Sequence, residues 1–558
     1  MKKIKYLTMV FLATIIFYSC NEDKWLKEVP FDFYSPENSY VTAAQFNSAV
    51  ATLYGNVNSY MLWNPDINIE YHYGSDIAYC PLGPTINLNS YSDALIPEYS
   101  NALFYWKNNF RTIFDANVII GRIDGKETEF KSETERNILK AEAMFFRAFA
   151  YRNLGIMFGG VPIVLKEISE PRRDFVRASP DQVWSQCIND LKFAVANLPG
   201  VTELKEEGRL TKAAANHLLA ELYIIKKDYD KSIASASVII DDPNYALMTD
   251  RFGTRKDKPG DVYNDLFVRG NQNRNHGINT ESIWVAQYEY KVEGGGSGSK
   301  LCRYLIPNYW SITGNTDRKN LFIGPTSKYG GRGIGVITPS DYLLKDIWMK
   351  DPNDMRNSGY NIIRDIVADN PASAYFGQKI VESGANTNYP DPLKRYWNVI
   401  IAKAAPINNF PVETIDDPVT GKVNIAAENT FRDDYYMRLA ETYLLRAEAY
   451  LGKGDKINAA KDINVVRARA KAIPVEASTV NIEYILDERA RELNFEELRT
   501  FTLMRMGKLV ERVSTYHPMY NGKYTSHIIK NFQNLWPIPQ SEIERNTEAV
   551  LEQNPGYK

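Results

Sequence analysis

The residue types that most often perform catalysis are sparse and poorly spaced in this sequence. Its five histidines are His72, His217, His276, His517 and His527. None stands in a His-Glu-x-x-His or comparable metal-ligand spacing. A glycosidase requires two carboxylates that face each other across a cleft, and the adjacency of the acid pairs at 241–242, 433–434 and 496–497 says nothing about such an arrangement. We interpret these pairs as solvated or capping residues and expect no enzyme, no metal site and no cofactor.

Phosphate and nucleic-acid binding are also not predicted. The glycine-rich run at 294–299 lacks the Lys-Ser/Thr of a P-loop, and the run at 330–333 opens no clear helix. We interpret both runs as flexible surface loops. The chain has 66 Lys and Arg against 68 Asp and Glu, so it has no basic excess that would neutralise a phosphate backbone.

Aromatic residues are the informative bias, since the chain contains 36 Tyr, 24 Phe and 9 Trp. Tyr and Trp combine an apolar ring with a polar group, which suits a sugar-binding platform, although a large core with hydrogen-bonded phenols explains most of them. Two loop regions supply aromatic rings together with Asp, Asn or Arg. The candidate ligand residues are Tyr71, Tyr73, Asp76, Tyr288, Arg303, Asn308, Tyr309 and Trp310. Trp310 is the strongest candidate because it is on a loop, whereas Tyr288 could alternate in a predicted strand at 282–290 and pack on helices.

Two helical hairpins must form part of the scaffold that carries these loops. Apolar stripes at helical spacing flank a turn at 226–230, and a second pair flanks a turn at 452–455. Helix, short turn and helix is the tetratricopeptide-type unit. Further helices are predicted at 42–59, 101–122, 134–158, 181–198 and 480–513. The predicted fold is predominantly α, a tetratricopeptide-like superhelix of helical hairpins with a loop-rich, mixed ligand-binding face.

The helical periodicity fades between about 242 and 435, where Gly, Asn, Pro and aromatic residues increase. Long irregular segments in a folded protein are usually functional, so we expect the ligand there and in the shorter stretch 63–99. We divide the chain into a signal peptide at 1–19, an N-terminal helical region at 20–240, a loop-rich region at 241–435 and a C-terminal helical region at 436–558. Residues 20–558 are expected to form one compact unit.

The N-terminus predicts export and a lipid anchor. Three lysines precede an apolar run at 7–18 that is too short to span a membrane and ends at Ser19-Cys20. A small residue followed by cysteine is typical of a lipoprotein cleavage site, so Cys20 is the predicted lipidation site. An ordinary signal peptide with an incidental cysteine is the alternative. The pairing of Cys80, Cys187 and Cys302 is left open.

Several motifs in order along the chain resemble the SusD/RagB family. They are the lipoprotein signal, Ala141-Glu142-Ala143 through Phe158-Gly159-Gly160-Val161-Pro162, Arg438-Leu439-Ala440-Glu441, Asp487-Glu488-Arg489-Ala490-Arg491-Glu492-Leu493, and Trp536-Pro537-Ile538-Pro539 through Gln553-Asn554-Pro555-Gly556-Tyr557. Glu22-Asp23 after Cys20 resembles the signal that sends such lipoproteins to the outer leaflet. The resemblance extends over essentially the whole mature chain.

The resemblance implies a surface lipoprotein of the outer membrane that captures oligosaccharide and delivers it to a SusC-like TonB-dependent porin. It also implies that ligand residues come from the two loop regions, and that the helical part contacts the porin. Peptide or glycopeptide capture of the RagB type is one alternative. A helical-repeat adaptor without a small-molecule ligand is the other.

Overall fold

The computed structural model describes residues 39–63, 69–125, 128–385, 394–405, 407–519 and 529–557. The predicted signal peptide, Cys20 and the acidic pair that follows it lie outside the described residues. No helix in these described ranges is both long enough and apolar enough to cross a membrane.

Eleven longer helices form the scaffold in the described ranges. They are α1 Ala43–Asn58, α2 Ser100–Arg122, α3 Glu133–Phe158, α4 Pro180–Asn197, α5 Lys212–Ile225, α6 Tyr229–Ile240, α7 Leu439–Gly452, α8 Lys456–Arg469, α9 Ile482–Leu493, α10 Arg499–Arg505 and α11 Leu509–Tyr516. A π-helical turn, Ser59–Trp63, follows α1. Shorter helices are Glu70–Tyr73, Tyr91–Ala94, Val262–Asp265, Arg274–Gly277, Leu301–Leu305, Asp341–Leu344 and Gln540–Arg545. The predominantly α fold is confirmed.

Local capping signals explain where several of these helices begin and end. Ser132 accepts a hydrogen bond from the Glu135 amide at the start of α3, and Ser179 forms a capping box with Gln182 at the start of α4. Helix α3 ends at Gly159, whose φ of +72° favours glycine. These short-range interactions are the reason why the predicted bounds agree with the observed ones.

The helices stack in sequence order, because each helix from α2 to α8 packs on the next. The two predicted hairpins are confirmed as α5–α6 and α7–α8. Helix α7 packs directly on α6, where Arg446 Nη1 donates to Ser237 Oγ at 2.9 Å, although nearly 200 residues separate the two helices. The loop-rich region therefore leaves the stack after α6 and returns to the same place.

The strands are short and antiparallel, and all but β1 belong to the loop-rich region or its border. They are β1 Ala78–Tyr79, β2 Ser282–Ala286, β3 Thr338–Pro339, β4 Ile362–Ile363, β5 Ile400–Ile401, β6 Ile415–Asp417, β7 Lys422–Val423 and β8 Asp434–Arg438. Strand β2 pairs with β8 at the two ends of the region, as β1 pairs with β3, β4 with β5 and β6 with β7. Trp284 on β2 is buried against Phe145, Phe149 and Tyr436, with ring centroids 5.5, 5.6 and 4.1 Å away. The predicted strand is therefore confirmed over its first half.

The single helix predicted at 480–513 is wrong, because this segment forms α9, α10 and α11. The first break follows α9, where Asn494 is extended and Phe495 adopts a left-handed φ of +57°. The second break occurs at Gly507, with a φ of +64°. The apolar periodicity continued across both breaks, so it could not show them.

A buried ionic network joins the loop-rich region to the C-terminal helices. Arg356 is fully buried and contacts Glu488 at 2.8 Å and Glu492 at 2.9 Å on α9. Arg438 contacts Glu492 at 2.6 Å and Glu496 at 2.7 Å. Glu496 is thus an ion-pair partner whose side chain is only 11% exposed, and its interpretation as a solvated or capping residue is wrong.

Candidate functional site

The first predicted ligand region lies in the core. Tyr71 is completely buried, and its ring lies 4.8 Å from that of Phe501 and 6.2 Å from that of Trp536. Tyr73 is also buried, and its O–H donates to Glu70 at 3.4 Å. Neither tyrosine can offer a ring to a ligand in this structure, so the prediction is corrected here: both rings are used in packing.

Asp76 is likewise a core residue. Arg499 donates from Nε and Nη2 to its two carboxylate oxygens at 2.8 Å each, and Arg512 Nε donates at 2.9 Å. Burial opposes ionisation, but the two guanidiniums outweigh it and lower the pKa of Asp76 to about 2. The oxygens predicted to hold sugar hydroxyls are therefore already bound to arginine.

Two residues of the second predicted region are also buried. The Tyr309 hydroxyl accepts from the Thr326 amide at 2.8 Å and donates toward the Gly331 carbonyl at 3.2 Å. Tyr288 is buried, and its amide donates to Asp433 at 2.7 Å. Burial raises the pKa of Asp433 to about 6, so this acid is not the solvated residue that was expected. Tyr288 and Tyr309 are corrected to core residues.

The other three candidates of this region reach the surface. Trp310 is partly exposed, and its Nε1 donates to the Gly333 carbonyl at 2.8 Å. Asn308 is partly exposed, and its side-chain oxygen accepts from Ser311 at 2.9 Å. Arg303 is partly exposed beside Glu428. Their contact with a ligand remains a prediction.

Three further aromatic residues accompany Trp310. Trp310, Tyr375, Tyr396 and Trp397 are all partly exposed, and all pack against the same hydrophobic cluster, which includes Tyr309. We call these four residues the aromatic face. Packing against the cluster limits the rotamers of these rings, and their partial exposure leaves ring surface that could stack against a sugar.

Three cations converge on one carboxylate next to the aromatic face. Lys300 Nζ lies 3.7 Å and Arg332 Nη1 3.3 Å from the Glu428 carboxylate, and Arg303 contacts the same oxygen as Arg332. Arg332 precedes Gly333, the residue to which Trp310 is hydrogen-bonded. We call Lys300, Arg303, Arg332 and Glu428 the charged cluster.

The glycine run at 330–333 is not the flexible surface loop that the sequence suggested. Gly330, Gly331 and Gly333 are buried, and a Cβ on Gly331 would lie 2.6 Å from the Ala427 carbonyl oxygen. Gly331 also has a φ of +81°. This close approach sets Arg332 beside Glu428, because the Arg332 amide donates to Ala427 at 3.3 Å.

Sequence reasoning missed Tyr375, Tyr396, Trp397, Arg332 and Glu428. The run of Arg395, Tyr396 and Trp397 in a loop was a usable signal, because it repeats the aromatic and polar composition around Trp310. Glu428 gave no signal, since 125 positions separate it from Arg303.

Two other concave surfaces lie on the helical side. A groove of about 370 Å³ runs along α2 and is lined by Trp106, Phe110, Phe114 and Phe175. A cleft of about 690 Å³ lies between the N-terminal halves of α1 and α3 and the segment 199–210. Neither contains a predicted ligand residue. The described residues form no group of three or more His, Cys, Asp or Glu that could hold a metal ion, and Cys80, Cys187 and Cys302 are free thiols.

Two family models match most of the chain. The model described as SusD family matches residues 280–557, and a SusD-like model described as starch-binding, associating with the outer membrane, matches residues 34–224. The resemblance inferred from the sequence motifs is therefore confirmed.

Individual proteins similar to this chain include relatives from Formosa agariphila and Bacteroides thetaiotaomicron. The SusD-like protein P25 of Formosa agariphila is 24% identical, with 100% of this chain and 99% of the relative aligned. The starch-binding protein SusD of Bacteroides thetaiotaomicron is 25% identical over 77% of this chain and 75% of its own length. A solved laminarin-binding SusD-like protein superposes with a TM-score of 0.65 at 23% identity over 93% of this chain and 100% of its own. At that identity, the superposition shows a shared fold.

Proposed function

Because the chain belongs to the SusD family, we propose that it captures oligosaccharide at the outer membrane and delivers it to a SusC-like TonB-dependent porin. The observation that supports capture is the aromatic face, in which four rings are seated on one cluster and partly exposed. Binding without catalysis needs no more than such rings and a few polar groups.

The polar groups around Trp310 suit sugar hydroxyls. Asn308 can both donate and accept, and the guanidiniums of Arg303 and Arg332 supply several N–H donors in a fixed plane. Two of the similar proteins are named for binding starch and laminarin, which favours a glycan over a peptide as the ligand. The protein acts as a binder and not as an enzyme in this proposal.

Lipidation at Cys20 would hold the protein at the outer membrane, facing outward. Each acyl-chain methylene that is buried in the membrane contributes about 0.8 kcal/mol to binding, so two or more chains give a stable anchor. The helical stack from α2 to α8 is then the surface that contacts the porin, while the loop-rich region presents the aromatic face to the ligand.

Calorimetric titration of the soluble form beginning at Asn21 tests the capture step against a panel of oligosaccharides. Trp310→Ala is expected to weaken binding about tenfold, which corresponds to about 1.4 kcal/mol, because it removes one stacked ring. Phe114→Ala is the matched control, since Phe114 is an exposed aromatic residue on α2 in the separate groove.

Equal loss in both variants, or no loss in either, would contradict a site at Trp310. Heat from peptides and none from sugars would favour the RagB-type alternative. Delivery is tested separately, by co-purifying the full-length lipoprotein with its porin from outer membranes, and failure to co-purify would refute that step.

A further inference from the structure

The segment that carries Trp310 is basic, although the whole chain has a net charge of −2. Residues 300–335 contain six Lys and Arg but one acid, Asp317. The lysines of residues 394–405, the segment that carries Tyr396 and Trp397, are already paired: Lys394 with Asp341 at 2.9 Å, and the buried Lys403 with Glu496 at 2.6 Å. The excess of Lys and Arg therefore lies in residues 300–335, the segment that carries Trp310.

The charged cluster shows the same imbalance in three dimensions. One carboxylate, Glu428, faces the three cations Lys300, Arg303 and Arg332, which leaves two positive charges without a counter-charge in the cluster. Other partly exposed arginines form one-to-one pairs, as Arg122 does with Glu167 and Arg209 with Glu142. A surplus of like charge in one place is unfavourable unless an anion can neutralise it.

The three cations are accessible to such an anion. Their side chains are 34%, 22% and 31% exposed for Lys300, Arg303 and Arg332. The planar guanidinium has five N–H donors, so Arg303 and Arg332 can each contact Glu428 and still donate to a second acceptor. Carboxylates and sulfates accept such paired donors well.

The position of these cations links them to the same ligand as the rings. Trp310 is bonded to Gly333, and the Ile334 amide donates to the Arg303 carbonyl at 2.8 Å. The segment 332–334 therefore contains Arg332 and is hydrogen-bonded both to Trp310 and to the backbone of Arg303. A sugar stacked on Trp310 would bring its substituents to these cations.

We propose that the oligosaccharide bound at the aromatic face is acidic, with uronate carboxylates or sulfate esters that pair with Lys300, Arg303 and Arg332. This inference rests on the proposed function, because it names the chemical class of the glycan at that site. In this proposal Glu428 positions Arg303 and Arg332. The remaining N–H groups of the two guanidiniums are then available to donate to the anionic groups of the sugar.

The test is calorimetric titration with three oligosaccharides of matched length, one neutral, one uronate-containing and one sulfated, each in 50 and 500 mM NaCl. At low salt the better acidic ligand should bind at least tenfold more tightly than the neutral one, and high salt should reduce only the acidic affinity. Whichever acidic ligand binds more tightly identifies the source of the anion.

Variants assign the effect to the charged cluster. Arg332→Gln should weaken acidic binding about tenfold and neutral binding less than twofold, whereas Glu428→Gln should strengthen acidic binding. Arg111→Gln is the matched control, since Arg111 is an exposed arginine on α2. All three side chains are at least partly exposed, so we expect the variants to fold. Thermal melts of each variant check this.

Neutral binding as tight as acidic binding, or a Glu428→Gln variant that loses acidic binding, would overturn the inference and leave the capture of glycan intact. Binding of none of the three oligosaccharides would instead count against the proposed function itself. The two failures therefore give different results.

Discussion

Asp76→Asn is the substitution that best separates a structural from a ligand-binding role in the first predicted region. The substitution keeps the shape of the side chain but removes its charge. It also turns an amide N–H₂ toward the Arg499 and Arg512 donors, which lie 2.8 to 2.9 Å from the carboxylate. All three side chains are buried, so water cannot replace the lost contact.

The size of the effect follows from the other contacts of the two arginines. Removing one partner of a buried ion pair costs about 3–5 kcal/mol. Arg499 retains Glu497 at 3.0 Å, and Arg512 retains Glu483 at 2.9 Å, so we expect the lower end, about 3 kcal/mol. Unfolding entropy is about 2.1 cal/mol/K per residue, which is about 1 kcal/mol per degree for this chain. The melting temperature should therefore fall by about 3 °C.

Differential scanning calorimetry at pH 7 measures this change, with Asp241→Asn as the control at a 74% exposed aspartate. The pKa of Asp76 is lowered to about 2, so its stabilisation is full above about pH 4 and is lost as the pH falls through 2. The difference in melting temperature between variant and parent should become smaller as the pH falls from about 4 to about 2. A melting temperature within 1 °C of the parent at pH 7, together with loss of oligosaccharide binding, would refute the structural role and restore the ligand role.

Two further predictions concern buried positions. Burial raises the pKa of Glu70 from about 4.5 to about 7. The protonated form therefore stabilises the fold fully below pH 4.5, and this contribution is lost as the pH rises through 7. The free energy of unfolding should fall by about 3 kcal/mol as a result. Glu70→Gln should therefore melt about 3 °C above the parent at pH 8.5 and equally at pH 4.5, and an unchanged difference across that range would contradict this cause. Gly155→Ala should lower the melting temperature by about 1–3 °C, because its Cβ would lie 2.2 Å from the Trp184 ring. Gly121→Ala on α2 meets no atom within 4 Å and should raise it by about 1 °C, so equal effects of the two alanines would refute the packing argument.

The sequence predicted the helical scaffold well because the determinants of that scaffold are local. Apolar spacing and caps within four residues decide where α3 and α4 begin. The break between α9 and α10 escaped notice because it depends on the backbone of Phe495, a residue that side-chain periodicity places inside a helix.

The candidate ligand residues were predicted less well because burial depends on partners far away in the chain. Asp76 and Arg499 are 423 positions apart, so the sequence showed an aspartate near tyrosines but not the arginine that neutralises it. Glu428 and Arg303 show the opposite case. They are far apart in the sequence, which gave no indication that they meet and form part of the candidate site. The residue types in a loop therefore predict what a site could bind better than they predict which residues form the site.

The way in which the loop-rich region is fastened explains how irregular backbone can hold a binding surface. Its two ends meet at the β2–β8 pair and at the contact of α6 with α7, while Arg356 ties its interior to α9. The aromatic face is then seated on a separate cluster that includes Tyr309. Because these rings are ordered before any ligand arrives, binding costs less side-chain entropy than it would on a free loop. The same rigidity requires specificity to come from groups that are already in place, and beside Trp310 those groups are cations in excess of their one carboxylate.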